Sequence, residues 1–202
     1  MQNVARPEGN TTGFSSAEPS IAGKQFQLLK EAAPRITKVA VIFNTDLVSQ
    51  IALSYFASIE AAASASGVQA IQMPVRNAVD IVHAIDAFGA EPGGALMILP
   101  PPPTNAIRAA ILQLTMQHRL PAIYPGLADA AAGGLLAYAA DRVDQYRRAA
   151  SYVDRLLRGA KVIDLPVQFP TKFELLVNLR AAKGIGLTIP ESFLLRADEV
   201  IE

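Results

Sequence analysis

The sequence predicts an α/β fold, a doubly wound and mostly parallel sheet flanked by helices. Three observations predict it. Short β-rich apolar runs alternate with longer stretches of helical periodicity along most of the chain. The connections between them are short, as in strand–helix–strand units that build a parallel sheet covered on both sides. And GALMIL (94–99) is apolar without alternation, the pattern of a strand buried on both faces.

The elements follow in order. ARPEGNTTGFSS (5–16) is rich in Gly, Asn, Thr and Ser and reads as loop or hinge. EPSIAGKQFQLLKEAA (18–33) is a helix, and KVAVIF (38–43) the first strand, ending at Asn44-Thr45-Asp46. LVSQIALSYFASIEAAASASG (47–67) is a helix with Ile51, Tyr55, Ile59 and Ala62 on one face and Gly67 as its stop. VQAIQMPV (68–75) is a strand. AVDIVHAIDAF (78–88) is a helix expected to turn Val79, Val82, Ile85 and Ala87 or Phe88 inward. After GALMIL come the helix NAIRAAILQLTMQHR, the short strand PAIY, the short helix LADAAAG and the strand LLAYA. RVDQYRRAASYVDRLLRG (142–159) is amphipathic, with Val143, Tyr146, Ala150, Val153 and Leu157 on one stripe. FELLVNL is the last strand, followed by the short helix AAKGIGL and a tail.

GALMIL runs into four prolines, Pro100 to Pro103. Proline has no N–H for a ladder, so the strand must stop at Leu99. The prolines are expected to take a stiff, extended path across the carboxyl edge of the sheet, with Thr104 capping the next helix. Such a path either preforms a binding surface or only rigidifies a crossover.

Composition excludes several function classes. The 202 residues carry 18 basic and 18 acidic side chains, which gives no reason to expect nucleic acid or an anionic membrane as partner. With no cysteine there is no disulfide, no thiolate catalysis and little scope for structural zinc. No apolar run is long enough to span a membrane, and MQNVARPEGNTTGF has no apolar signal core. HExxH, GxSxG, the Walker A loop and GxGxxG are all missing. Asp46 stands alone beyond the first strand, so the acidic pair of a receiver domain is not met. His83 lies within a helix and His118 at a helix end, where a cation suits the dipole; both read as structural. The expectation is therefore no catalytic residue, no metal, no cofactor and no enzyme.

What remains is a set of polar and aromatic residues at strand carboxyl ends: Asn44, Thr45, Arg76, Pro101, Thr104, Tyr124, Tyr138 and Asp141. In a doubly wound sheet these emerge on one edge, where they suit a small polar or aromatic ligand. Arg76 could take a carboxylate two-toothed. Equally, Arg76 could be a surface charge, and the tyrosines core residues whose hydroxyls are satisfied locally.

ARPEGNTTGFSS, GKQFQLLKEAAPRITKVAVIFN, EPGGALMILP, HRLPAIYPG, YRRAASYVDRLLRGAK and DLPVQFPTKFELLVNLRAAKGIGLTIPESFLLRADEVIE together resemble the ABC transporter substrate-binding proteins of the type I periplasmic-binding fold, in the branch that includes tryptophan-binding proteins. The resemblance covers nearly the whole chain. It implies a receptor of two α/β lobes that closes on a small organic solute, an aromatic amino acid or carboxylate, and presents it to an ABC permease in the periplasm. On this chain it implies a hinge or crossover over residues 1–20 and a ligand-binding lobe over 21–141. It further implies a crossover helix over 142–160 that belongs with the other lobe, and a final strand and helix returning to the ligand-binding lobe, with a tail, over 161–202. The signal peptide and the opening strands of the first lobe are expected to be absent, which would make a chain truly starting at Met1 cytoplasmic. The alternative function is then a cytoplasmic sensor or interaction domain reusing one lobe. Two positions depart from the family pattern: Asn44-Thr45-Asp46 where FNP is usual, and Ala137-Tyr138-Ala139 where SYG is usual. An uncovered stripe on the 142–160 helix would favour association, so a homodimer through that helix and the inner edge of the lobe is expected.

Overall fold

The structure is a computed structural model and describes residues 5–7, 9–15, 20–44, 50–100 and 105–202. Helix α1 (Ser20–Ala32) leads into β1 (Lys38–Asn44), α2 (Gln50–Ala65), β2 (Gln69–Val75), α3 (Ala78–Gly89) and β3 (Gly94–Ile98). Then come α4 (Asn105–Gln117), β4 (Ala122–Tyr124), α5 (Leu127–Ala131), β5 (Leu136–Ala140) and α6 (Arg142–Leu157). The chain closes with β6 (Phe173–Asn178), α7 (Leu179–Gly184), α8 (Glu191–Leu194) and β7 (Glu199–Ile201).

The strands form one seven-stranded sheet in the order β2-β1-β3-β4-β5-β6-β7. Neighbours from β2 through β5 run parallel, as do β6 and β7. Strand β6 runs against β5. The Asp141 N–H donates to the Lys172 carbonyl at 3.0 Å and the Asn178 N–H to the Leu135 carbonyl at 2.9 Å, so residue numbers rise on one strand as they fall on the other. The sheet is thus mostly parallel, as the alternating pattern predicts.

The chain divides into two compact units, Pro19–Ala139 with Glu174–Glu202, and Met1–Glu18 with Ala140–Phe173. In the larger, side chains alternate across the sheet. Val39 and Val41 face a core shared with Phe26 and Leu29 of α1, Ile59 of α2 and Phe193 of α8. Ala40 and Ile42 face the opposite core, with Ile81 and Ile85 of α3 and Ile111 and Leu114 of α4. All five residues of β3 are buried, as its unbroken apolar run requires. Helix α2 stops at Gly67, whose φ of +67° only glycine adopts without strain.

Three details depart from expectation. On α3 the buried residues are Ile81 and Ile85, four apart, while Val79 is exposed. Val79 lies two residues from Ile81, more than half a turn away, so it cannot share that face. Helix α7 starts at Leu179, because the Asn178 side chain caps it by accepting from the Ala181 N–H at 3.0 Å. The tail contains α8 and β7, elements too short for periodicity to register.

The smaller unit is held chiefly by polar and aromatic contacts. Phe14 bridges Gln168 in parallel, and Ser15 and Gly13 bond to Gln168 through backbone groups at 2.8 and 3.0 Å. Arg148 of α6 reaches Thr171 Oγ1 at 2.9 Å and Gln168 Oε1 at 3.0 Å, and its guanidinium lies over the Phe14 ring. Tyr152 stacks at a tilt on Phe14 and donates to the Pro166 carbonyl at 2.7 Å. Helix α6 itself buries no residue. Its apolar stripe lies open: Val143 is 64% exposed, Tyr146 70%, Val153 56% and Leu157 83%.

Candidate functional site

Open parallel sheets bind ligands beyond the carboxyl ends of their strands, where the strand order reverses. Here that reversal falls at β1, which has β2 on one side and β3 on the other. Asn44 ends β1 and is half-buried, level with Val75 at the end of β2. Arg76 follows β2 and is exposed. The turn that carries it is rigid: the Arg76 N–H donates to Asp80 Oδ2 at 3.0 Å, and Asn77 caps α3 by accepting from the N–H groups of Val79 and Asp80.

Tyr138 lies on β5, half-buried against the core that holds α1. Its carbonyl accepts from Gln25 Nε2 at 2.8 Å, a bond that satisfies an otherwise buried amide. Burial raises the Tyr138 pKa, with the negative charge of Asp198 adding to the shift, so the phenol stays protonated and able to donate. Three strand spacings separate β1 from β5, about 14 Å. Asn44 and Tyr138 therefore mark two ends of an edge rather than one point.

Two expected site residues are committed elsewhere. Tyr124 is 2% exposed and belongs to the core beneath α3 and α4. Its hydroxyl lies 3.3 Å from Thr115 Oγ1, and burial drives its pKa far above the ordinary phenol value. The expectation that Tyr124 reaches a ligand thus stands against a three-residue strand that is buried throughout. Asp141, in the smaller unit, caps α6 by accepting from the Asp144 N–H at 3.0 Å and pairs with Lys172 Nζ at 2.8 Å. The Lys172 ammonium, followed by that backbone N–H, holds its carboxyl below the usual range. Thr45, Pro101 and Thr104, and with them the expected path of the prolines, lie outside the described residues.

The structure adds a pair that periodicity does not reveal. Arg108, in the first turn of α4, forms an ion pair with Asp129 of α5. Asp129 is 3% exposed, and desolvation raises its pKa against the lowering influence of Arg108. In sequence the only signal is an aspartate inside the Ala-rich LADAAAG, easily taken for an exposed helix residue.

Among the described residues no three His, Cys, Asp or Glu side chains gather to hold a metal. His118 bonds through Nε2 to Asp86 Oδ1 at 2.7 Å, tying α4 to α3. A depression of about 230 Å³ lies at the opposite, amino edge of the sheet, beside Ile36, Gly94 and Pro121. Among the described residues no helix is long and apolar enough to cross a membrane.

A sheet of this topology with a polar and aromatic carboxyl edge defines a ligand-binding α/β lobe. Comparison with known proteins makes the class specific. The profile of the ABC transporter substrate binding protein family matches residues 1–201, and the chain belongs to that family. Among solved structures, an ABC domain from Streptococcus pneumonia in complex with L-Trp is similar at TM-score 0.84 and 23% identity, over 100% of this chain and 68% of that one. A conserved domain protein from Vibrio cholerae O1 biovar El Tor is similar at TM-score 0.84 and 22% identity, over 99% and 65%. A ligand-free, open substrate binding protein with adhesive properties from Clostridium difficile is similar at TM-score 0.73 and 18% identity, over 100% and 66%. This chain therefore spans about two thirds of each. No curated protein matches it by sequence.

Proposed function

We propose that this chain is the solute-capturing component of an ABC importer, binding a small aromatic amino acid or aromatic carboxylate reversibly at the carboxyl edge of its sheet. The observation that carries the reading is the family match along the whole chain, on a lobe whose carboxyl edge offers Asn44, Arg76 and Tyr138. An amide, a guanidinium and a half-buried ring can together hold a polar head and an aromatic body. The similar fold of a protein solved with L-Trp makes that amino acid the first solute to try. Capture is non-covalent, with no bond made or broken, and the loaded protein hands its solute to a permease outside the cytoplasm.

The reading includes a second copy of the chain. Burying side chains such as Val143, Val153 and Leu157 is worth about 1.5–3 kcal/mol each, so the open stripe of α6 favours a homodimer that covers it.

The chain contains no tryptophan, so the fluorescence of added L-tryptophan reports binding without background from the protein. A saturable change, with a rise in melting temperature, is the expected result. A solute at a hundred times its Kd stabilises the folded form by about 2.7 kcal/mol. A well-folded sample whose melting temperature no amino acid, aromatic acid or small carboxylate raises would overturn the proposal.

A further inference from the structure

We infer that the depression at the amino edge of the sheet is a second binding site, which takes a small organic phosphate: an apolar ring or short chain bearing a phosphomonoester. It is separate from the carboxyl-edge reading and does not depend on it. The depression, about 230 Å³, lies among the loops that enter β1, β3 and β4 and the turn after α7. Pockets for drug-sized ligands run to about 300–1,000 Å³, so this one suits a smaller molecule. Ile36, Ile185 and Leu187 give it apolar walls, and Arg35 and Arg119 line it as well.

The acids that flank these loops are taken by other partners. Glu31 pairs with Arg196, Glu91 with Lys38, and Asp86 with His118, the residue before Arg119. Glu191 opens α8 and does not line the depression. Among the described residues, Arg35 and Arg119 are left without an acidic partner. Nor is Arg35 needed to complement the end of α1. Lys30, in the last turn of that helix, donates to the Pro34 and Ile36 carbonyls at 2.9 Å each, and so also fixes the turn that carries Arg35. A phosphomonoester carries about −1.5 to −2 charges at neutral pH and three acceptor oxygens, a match for two guanidiniums where a carboxylate matches one.

The backbone of Arg119 adds an independent reason. At the end of α4 the Leu120 N–H donates to the Thr115 carbonyl at 2.9 Å and the Arg119 N–H to the Met116 carbonyl at 3.2 Å. The pivot of that turn, Arg119, has a φ of +53°, where glycine is the usual residue. Helix α7 ends in the same turn with Gly186 at the pivot, at +72°. Among the described residues Arg119 is the only non-glycine with positive φ. A side chain kept where glycine folds at less cost has a use that the turn does not supply. Complementing the dipole of α4 is one such use, and holding an anion in the adjoining depression is the other.

The probe is phenyl phosphate, titrated into the isotope-labelled chain and followed by amide NMR. Inorganic phosphate, phenol and benzoate serve as its charged half, its apolar half and its singly charged counterpart. At the amino edge, phenyl phosphate is expected to bind at least tenfold tighter than any of the three. It should move the signals of Gly93, Gly94 and Gly186 and leave those of Asn44 and Val75 in place. Added salt should weaken it. Arg35→Gln and Arg119→Gly should each weaken it at least fivefold. Glycine takes the φ of the turn freely, so Arg119→Gly keeps the fold, and a wild-type spectrum away from the turn checks this. Several results would overturn the inference: no saturable shift at the amino edge, a control that binds there as tightly as phenyl phosphate, or either variant binding like the wild type, which would leave the arginines serving only the helix ends. Shifts confined to Asn44 and Val75 would overturn it too, and leave the carboxyl-edge reading standing.

Discussion

The side-chain amide of Asn178 donates a 2.9 Å hydrogen bond to the carbonyl of Ala130, which joins the end of β6 to α5. The same side chain caps α7 through the Ala181 N–H, and the residue is 3% exposed. Asn178→Ala removes a cap and one of the bonds to the Ala130 carbonyl, which keeps the Gly133 N–H at 3.1 Å, at a combined cost of about 2–3 kcal/mol. In a chain of this length that is a fall in Tm of about 5–12 °C, readable by calorimetry. Asn178→Asp keeps the acceptor but sets a carboxylate against a carbonyl, so it should lose at least as much.

Gly134 lies under the Tyr124 ring. A Cβ there would sit 2.6 Å from Tyr124 Cε2 and 3.0 Å from the Asp129 carbonyl. Neither neighbour is a loose side-chain end, so Gly134→Ala should cost about 1–3 kcal/mol through overpacking. Tyr124→Phe loses only the bond to Thr115, about 1 kcal/mol, and should leave solute affinity unchanged. A Tyr124→Phe variant with impaired binding but wild-type stability would return this residue to the site.

Asp141 makes stability depend on acid. Its folded pKa is lowered from 3.8, first by Lys172 and then by the Asp144 N–H. A lowered carboxylate pKa contributes stability that is present above the unfolded value and lost as pH falls through the folded one. The Tm difference between wild type and Asp141→Asn should be full at neutral pH and shrink as pH drops below 3.8. Because Lys172 is largely exposed, added salt should narrow the difference as well.

Val153 and Leu157 are exposed in the single chain. Glutamate at either position should change its intrinsic stability by no more than about 0.5 kcal/mol. If a second copy covers α6, both variants should sediment as monomer at concentrations where the wild type is a dimer. A wild type that stays monomeric at high concentration would remove the dimer from the proposal.

Much of the lobe was legible because local rules and tertiary context agreed. The buried run Gly94–Ile98, the stop at Gly67 and the open stripe of α6 each follow from residue type and spacing. The same rules placed the candidate edge, since a parallel sheet brings Asn44 and Arg76 to neighbouring strand ends whatever the packing details. The phase of α3 was not legible. Val79 and Ile81 are both apolar, and only the fit against the sheet chose Ile81.

By itself, then, the sequence determined the fold class and the order of most elements, because periodicity and glycine or proline signals act over a few residues. Tertiary structure alone decided which polar groups remain at the carboxyl edge. It committed the Tyr124 hydroxyl to Thr115 and the Asp141 carboxylate to a helix cap and Lys172, and it joined Arg108 to Asp129 across two helices. These are contacts between groups distant in sequence or on separate elements. Burial and hydrogen bonding settle them only once the chain has packed.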